Sequence, residues 1–297
     1  MTKSLVTGGA GFIGSHIVDK LLELGHQVTV IDNMSSTVHE DFYINSKAEY
    51  FTSNVSNYEK TRPLYDGIDY VFHCAAESRI QPCIDNPLLA LATNYYGTGV
   101  VLQCAREAGV KKVMYSSTSA GYGLNNPMPL NESMRDDCLN PYSVSKVSAE
   151  KLCKMYSDLF NLQTVTFRYF NVYGPREPIK GSYAPVIGLF LRQHKAGEPL
   201  TIVGDGSQRR DFIHVEDVVS ANILAMNSSV SGELINIGYG ENYSVKKIAD
   251  SISSNQIYVF PRQGEAKETL ANIEKAKKLL KWLPTYNVID YIEEQLK

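Results

Sequence analysis

The 297-residue chain contains no run of about 20 apolar residues, the length a helix needs to cross a bilayer, and no membrane span is expected. It opens with a strand and a Gly-rich turn, where a secretion signal needs an apolar stretch and a cleavage site. Cys74, Cys83, Cys104, Cys138 and Cys153 form no C-x-x-C pair and no metal spacing. They read as reduced thiols of a cytoplasmic protein, and no metal site is expected. An excess of one charge is missing too: 29 Lys and Arg stand against 32 Asp and Glu, net -3, which gives no reason to expect a nucleic-acid partner. Internal repeats, low-complexity tracts and long linkers are also lacking.

What is present is alternation. Short segments apolar on both faces, Lys3–Thr7, Gln27–Ile31, Glu49–Ser53, Tyr70–Cys74, Lys112–Ser116 and Gln163–Phe167, read as strands of a covered parallel sheet. Between them Gly11–Leu24, Leu88–Ala108 and Pro141–Phe160 carry apolar residues at helical spacing. This predicts an α/β fold of the Rossmann type, a doubly wound parallel sheet. After Phe167, Pro and Gly cut the chain into shorter pieces, with helices expected at Val186–His194, Val215–Met226, Val245–Ser253 and Ile273–Lys281. The expected division is a cofactor domain of residues 1–167 with a return segment at about 211–237. A smaller, partly interwoven α/β substrate domain takes 168–210 and 238–297.

Leu5-Val6-Thr7-Gly8-Gly9-Ala10-Gly11-Phe12-Ile13-Gly14 reads as a strand, a turn and a helix start. Gly8, Gly11 and Gly14 let backbone approach a pyrophosphate, and the free N–H groups around Phe12 and Ile13 favour that anion. Asp32, followed by Asn33, closes the second strand. A carboxylate there accepts both hydroxyls of an adenosine ribose and repels a 2′-phosphate, which points to NAD over NADP. The plainer reading is that Asp32 caps the following loop. Asn54 and Val55 end the third strand where an adenine edge would lie, although loop Asn residues are common. Ala75, after the fourth strand, leaves room for the cofactor.

Tyr142-Ser143-Val144-Ser145-Lys146 puts Tyr142 and Lys146 four apart on one helix face, behind the helix-starting Pro141. A phenol near pKa 10 is a poor base at neutral pH. The Lys146 ammonium and an oxidised nicotinamide are expected to lower that pKa, and Lys146 also reaches the nicotinamide ribose. Thr118, in the Ser-rich run off the fifth strand, offers a hydroxyl to the reacting oxygen. Strand C-termini are where ligands bind in such sheets.

Together these residues resemble the extended short-chain dehydrogenase/reductases, specifically the UDP-hexose 4-epimerases, over essentially the whole chain. Arg168-Tyr169-Phe170-Asn171-Val172-Tyr173-Gly174-Pro175 and Gln208-Arg209-Arg210-Asp211-Phe212-Ile213-His214-Val215 match the family's substrate-domain signatures. The resemblance implies NAD as cofactor, a UDP-sugar substrate, and Thr118, Tyr142 and Lys146 as catalytic residues. It implies Asn171, Arg210 and Arg262 at the diphosphate and Val203, within Leu200–Gly204, at the base. Thr269 falls near the position that gates the hexose 2-substituent, and its modest size implies room for an N-acetyl group. Related dehydratases and decarboxylases carry an acid just after the Thr, whereas this chain has Ser119 and Ala120. Glucuronate remains an alternative sugar, with Arg79 as candidate partner for its carboxylate. Ala271-Asn272 stands where Ala-Asp is usual, and Asn54 where Asp is usual. Relatives pair through their two long helices, so a homodimer is expected.

Overall fold

A computed structural model describes residues 1–37, 41–178, 184–260 and 266–297. In chain order the elements of the first half are β1 (Lys3–Thr7), α1 (Phe12–Glu23), β2 (Gln27–Asp32), β3 (Glu49–Thr52), α2 (Tyr58–Thr61), β4 (Tyr70–His73), α3 (Ile80–Asp85) and α4 (Pro87–Ala90). A π-helical turn, Leu91–Tyr96, leads into α5 (Gly97–Glu107), followed by β5 (Lys112–Thr118), α6 (Pro141–Phe160) and β6 (Gln163–Tyr169). The remainder is β7 (Asn171–Tyr173), α7 (Val186–Lys195), β8 (Leu200–Val203), β9 (Arg209–His214), α8 (Val215–Asn227) and β10 (Glu233–Ile237). The chain ends with β11 (Asn242–Ser244), α9 (Val245–Ile252), β12 (Gln256–Val259), α10 (Glu274–Leu280) and α11 (Val288–Gln295).

Seven strands form one sheet in the order β10-β6-β5-β4-β1-β2-β3. Every pairing in it is parallel. From β3 to β6 this is the doubly wound order that places a crevice where the winding reverses, outside the carboxyl ends of β1 and β4. The strand period of two sends neighbouring residues to opposite faces. Val6, Phe72 and Met114 pack with α1 and α8, while Leu5, Val71 and Val113 pack with α5 and α6. Both faces are therefore apolar core, as the unbroken hydrophobic runs required. A third apolar cluster, including Phe190, Ile202, Phe212, Ile248 and Ile292, holds together the smaller sheets β11-β9-β7 and β12-β8.

Local chemistry sets the ends of the key helix. Asn140 caps α6 by accepting the Ser143 N–H at 2.9 Å, Pro141 starts it, and Asn161 ends it in the left-handed region at φ 56°. Lys112, buried beneath the sheet, donates to the Ala225 and Ser228 carbonyls and so caps the C-terminus of α8 with a cation.

The segment 88–108 corrects the sequence reading. It is not one regular helix; the π-helical turn at 91–96 separates α4 from α5. Leu88 and Leu89 before the turn and Val100, Val101 and Leu102 after it are apolar, and residue type carries no mark of the wider turn. Two strands run two residues past their expected ends, β5 to Thr118 and β6 to Tyr169.

Candidate active site

The carboxyl ends of the central strands open into a cleft of about 1380 Å³, closed on its far side by β7, β9, α7 and the end of β8. Pockets for one small ligand span about 300–1,000 Å³. This cleft has room for two, end to end. Of the residues read from sequence, Gly8, Gly11, Phe12, Ile13, Gly14, Asp32, Asn33, Asn54, Val55 and Ala75 line one end. Asn171, Val203, Arg210 and Thr269 line the other, and Thr118 and Tyr142 stand between. Lys146 is not on the wall; it lies buried behind it. Arg262 falls outside the described residues.

At the first end the chain has the shape of a dinucleotide cradle. The N-terminus of α1 carries no side-chain cap and no acid in its first turn, which leaves its N–H groups for an anion. Close packing makes the turn possible: a Cβ on Gly14 would lie 2.1 Å from the Gly8 carbonyl oxygen, inside any allowed contact. Gly14→Ala is therefore expected to abolish NAD retention and to destabilise the fold by about 1–3 kcal/mol or more. Absorbance of the purified protein and urea unfolding measure the two effects; a variant that keeps its cofactor contradicts the close approach.

Asp32 does what the plainer reading proposed and still faces the cleft. Its carboxylate accepts the N–H of Met34 at 2.9 Å and of Ala10 at 3.1 Å, tying the loop after β2 to the Gly-rich turn. Asn54 similarly holds the N–H and hydroxyl of Ser56 through its Oδ1. These residues fit a dinucleotide: a glycine-built turn, an uncapped helix start and a carboxylate at the end of the adjacent strand.

In the middle, Thr118 ends β5 and Tyr142 stands in the first turn of α6. The Thr118 oxygen accepts the Ala120 N–H at 3.1 Å, which leaves its own proton to donate. Burial pushes the Tyr142 phenol up to about 12, against a smaller downward pull from the Thr118 hydroxyl. The expected depression of the Tyr142 pKa is thus absent from the chain alone, because desolvation dominates until a positive charge is bound nearby. Burial also pushes the Lys146 ammonium down to about 8. Its Nζ lies 4.4 Å from the centre of the Tyr115 ring, a cation–π contact that holds it under the site.

At the far end Asn171 donates to the Asp211 carbonyl at 3.0 Å and to the Thr269 hydroxyl at 3.3 Å. Arg210 donates to the Arg209 carbonyl at 3.0 Å and faces the same space.

Three buried groups around the cleft escaped the sequence reading. Asp211 accepts the N–H groups of Tyr239, Gly240 and Ala271, fixing two distant loops beside Arg210 and Thr269. Asn94, on the π-helical turn and fully buried, binds both the N–H and the C=O of Glu77 and donates to the Ser145 hydroxyl at 3.0 Å. Arg168 forks onto both oxygens of Glu150, at 2.9 and 2.7 Å, and reaches Asp136 at 2.7 Å. Glu150 also accepts the Ser117 hydroxyl at 2.5 Å, so α6 is bound to the strand end that carries Thr118. The arginine had a signal, since a charge in an apolar strand needs a partner. Asn94 and Asp211 had none, because their partners are backbone groups far away in sequence.

A doubly wound sheet, a glycine cradle at its crevice and a Tyr–Lys pair beside it define a dinucleotide-dependent enzyme. The model of the NAD dependent epimerase/dehydratase family matches residues 4–238, and the chain belongs to that family. A putative UDP-glucose 4-epimerase of Methanocaldococcus jannaschii is 35% identical over 97% of this chain and 95% of its own. A UDP-N-acetyl-alpha-D-glucosaminuronate decarboxylase of Bacillus cytotoxicus is 38% identical over 84% of this chain and 79% of its own. Among solved structures, a UDP-glucose 4-epimerase of Thermotoga maritima with UDP-glucose superposes with a TM-score of 0.93 at 34% identity, covering all of both chains. The cofactor is NAD, as the family prescribes. Among the described residues no helix is long and apolar enough to cross a membrane.

Proposed function

We propose that this enzyme interconverts the C4 epimers of a UDP-hexose, UDP-glucose with UDP-galactose or their N-acetylamino counterparts, through a transient 4-keto sugar. The observation that carries this reading is one cleft whose wall holds the glycine cradle, Thr118, Tyr142 and Arg210 together, with no acid at Ser119 or Ala120. Bound at the cradle, NAD supplies hydride acceptance and return at C4. Thr118 orients the sugar's O4 towards Tyr142, which takes the hydroxyl proton and later gives it back. Lys146, buried below, holds positive charge that favours the phenolate. Asn171, Arg210 and Arg262 hold the diphosphate, Val203 lines the base, and Thr269 borders the hexose. Firm grip on the nucleotide and loose grip on the ring let the flat 4-keto sugar present its other face.

In this reading residues 1–167 with 211–237 hold NAD, and 168–210 with 238–297 hold the sugar nucleotide. The enzyme pairs with a second copy through α4, the π-helical turn and α6. Leu88, Tyr96 and Leu159 there are at least 60% exposed, an apolar stripe of the kind that marks an interface. A monomer mass in light scattering contradicts that pairing. The free state of all five cysteines supports a cytoplasmic site.

The test uses protein purified without added cofactor and incubated separately with UDP-galactose, UDP-N-acetylgalactosamine and UDP-glucuronate. Proton NMR of the anomeric region then follows each mixture. Appearance of a C4 epimer is expected with one of the first two sugars. No epimer with any of the three, even after NAD is supplied, removes the reading.

A further inference from the structure

The catalytic middle of the cleft has a wall that the mechanism above leaves unused, the segment after β4 that runs into α3. Glu77 and Arg79 belong to it, and both line the cleft. Glu77 is rooted with unusual firmness. Its N–H donates to Asn94 Oδ1 at 2.8 Å and its carbonyl accepts from Asn94 Nδ2 at 3.0 Å. Asn94 also donates to Ser145, whose hydroxyl returns to the Tyr142 carbonyl at 2.8 Å. The backbone of Glu77 is thereby tied to the first turn of the catalytic helix. Its side chain lines the same cleft as Tyr142, and its carbonyl lies 3.7 Å from the Cys83 Sγ.

The carboxylate itself is half-buried, and burial pushes its pKa up. Among the described residues no hydrogen bond or ion pair engages its oxygens, although its backbone groups are fully used. The other carboxyls on the cleft wall are occupied or remote. Asp32 holds Ala10 and Met34 at the cofactor end, and Glu177 lies buried against Gly188 in α7. Arg79 is engaged in interactions of its own within the chain. A carboxylate on a fixed root, with open acceptor sites on the wall of the same cleft, matches a ligand rich in hydroxyl donors.

We propose that Glu77 is a specificity-determining residue: its carboxylate accepts hydrogen bonds from hydroxyls of a neutral hexose and repels a sugar that carries its own carboxylate. This rests on the UDP-hexose 4-epimerase reading and decides between its two classes of sugar. The discrimination is both attractive and repulsive, since the group that binds a hydroxyl places like charges together when a uronate enters.

The test compares wild-type enzyme, Glu77→Gln and Glu77→Ala, each holding its NAD, on UDP-galactose and UDP-galacturonate at pH 8. Losing a hydrogen bond to a charged acceptor is expected to raise KM for UDP-galactose about tenfold or more in both variants, with kcat changed far less. The ratio of kcat/KM for galactose over galacturonate is expected to fall by about a hundredfold in Glu77→Gln, which removes the repulsion but keeps the shape. Calorimetric binding to the wild-type enzyme gives a reading independent of variant folding: UDP-galacturonate is expected to bind at least about tenfold more weakly than UDP-galactose. An unchanged selectivity ratio in an active Glu77→Gln enzyme, or equal or tighter uronate binding by wild type, overturns the proposal alone. A dehydrated 4-keto product also overturns it, because Glu77 would then be an elimination acid or base. A wild-type enzyme that epimerises neither sugar overturns the 4-epimerase reading and this assignment with it.

Discussion

Replacing Tyr142 by Phe is expected to lower turnover by about 10²- to 10⁴-fold, the usual worth of a positioned acid–base group, while NAD content and UDP binding stay as in the wild type. The substitution keeps the ring and deletes only the phenol oxygen, which lines the cleft with Thr118. The size of the effect follows from what the site does to that oxygen. Burial pushes the phenol up to about 12 and Lys146 down to about 8, so the chain alone disfavours charge on both. Positive charge bound in the cleft is what shifts the phenol towards its ionised form. Turnover is therefore expected to rise with pH as phenolate accumulates, and to level or fall as Lys146 loses its proton near about 8. Stopped assays across pH 5–10 check both limbs. A loss below about tenfold in Tyr142→Phe is incompatible with Tyr142 as the general base.

Glu150→Ala is expected to cost about 3–5 kcal/mol of stability, the usual penalty for leaving one member of a buried ion pair alone. Arg168 is 1% exposed, and its guanidinium carbon sits 4.4 Å from the centre of the Tyr122 ring. The two Glu150 oxygens take one N–H each from its Nε and Nη2, while its Nη1 already lacks a partner. Without Glu150 the charge has only the half-exposed Asp136 to face. Glu150→Gln, which keeps an acceptor oxygen, is expected to lose less. Because Glu150 also holds Ser117, next to Thr118, the Ala variant is further expected to lose turnover more than substrate affinity. Urea unfolding measures the first effect and the kcat against KM split the second; a loss of stability under about 1 kcal/mol contradicts a buried, mutually dependent pair.

How far the molecule could be read from its residues depended on where each signal resides. The strands at Lys3–Thr7, Gln27–Asp32 and Lys112–Thr118 announce themselves because a parallel strand covered on both faces must be apolar throughout. The Gly-rich turn was legible for a related reason, since Gly14 has no space for any side chain. Strand β9 was not read, because Arg209-Arg210-Asp211 is polar and its pairing with β7 and β11 is decided by segments far along the chain. The π-helical turn was invisible because apolar residues flank it on both sides and residue type carries no mark of a wider turn. Asp32 was read for one role and has a second, in holding the Gly-rich turn, that depends on the Ala10 N–H coming within 3.1 Å. The Tyr142 pKa was read with both Lys146 and an oxidised nicotinamide in place, whereas in the chain alone burial pushes the phenol up. Proximity to Lys146 is a property of sequence spacing, whereas desolvation is a property of the packed site. Arg262, read as a phosphate contact, lies outside the described residues.

The central claim is that one bound cofactor oxidises and re-reduces the same carbon. It is tested most directly with UDP-galactose carrying deuterium at C4, turned over by the wild-type enzyme in ordinary water and followed by NMR. The account predicts that the epimer keeps its deuterium at C4 and takes up no solvent hydrogen there. Deuterium lost to water from C4, with epimer formed, would contradict it and indicate proton abstraction at that carbon instead.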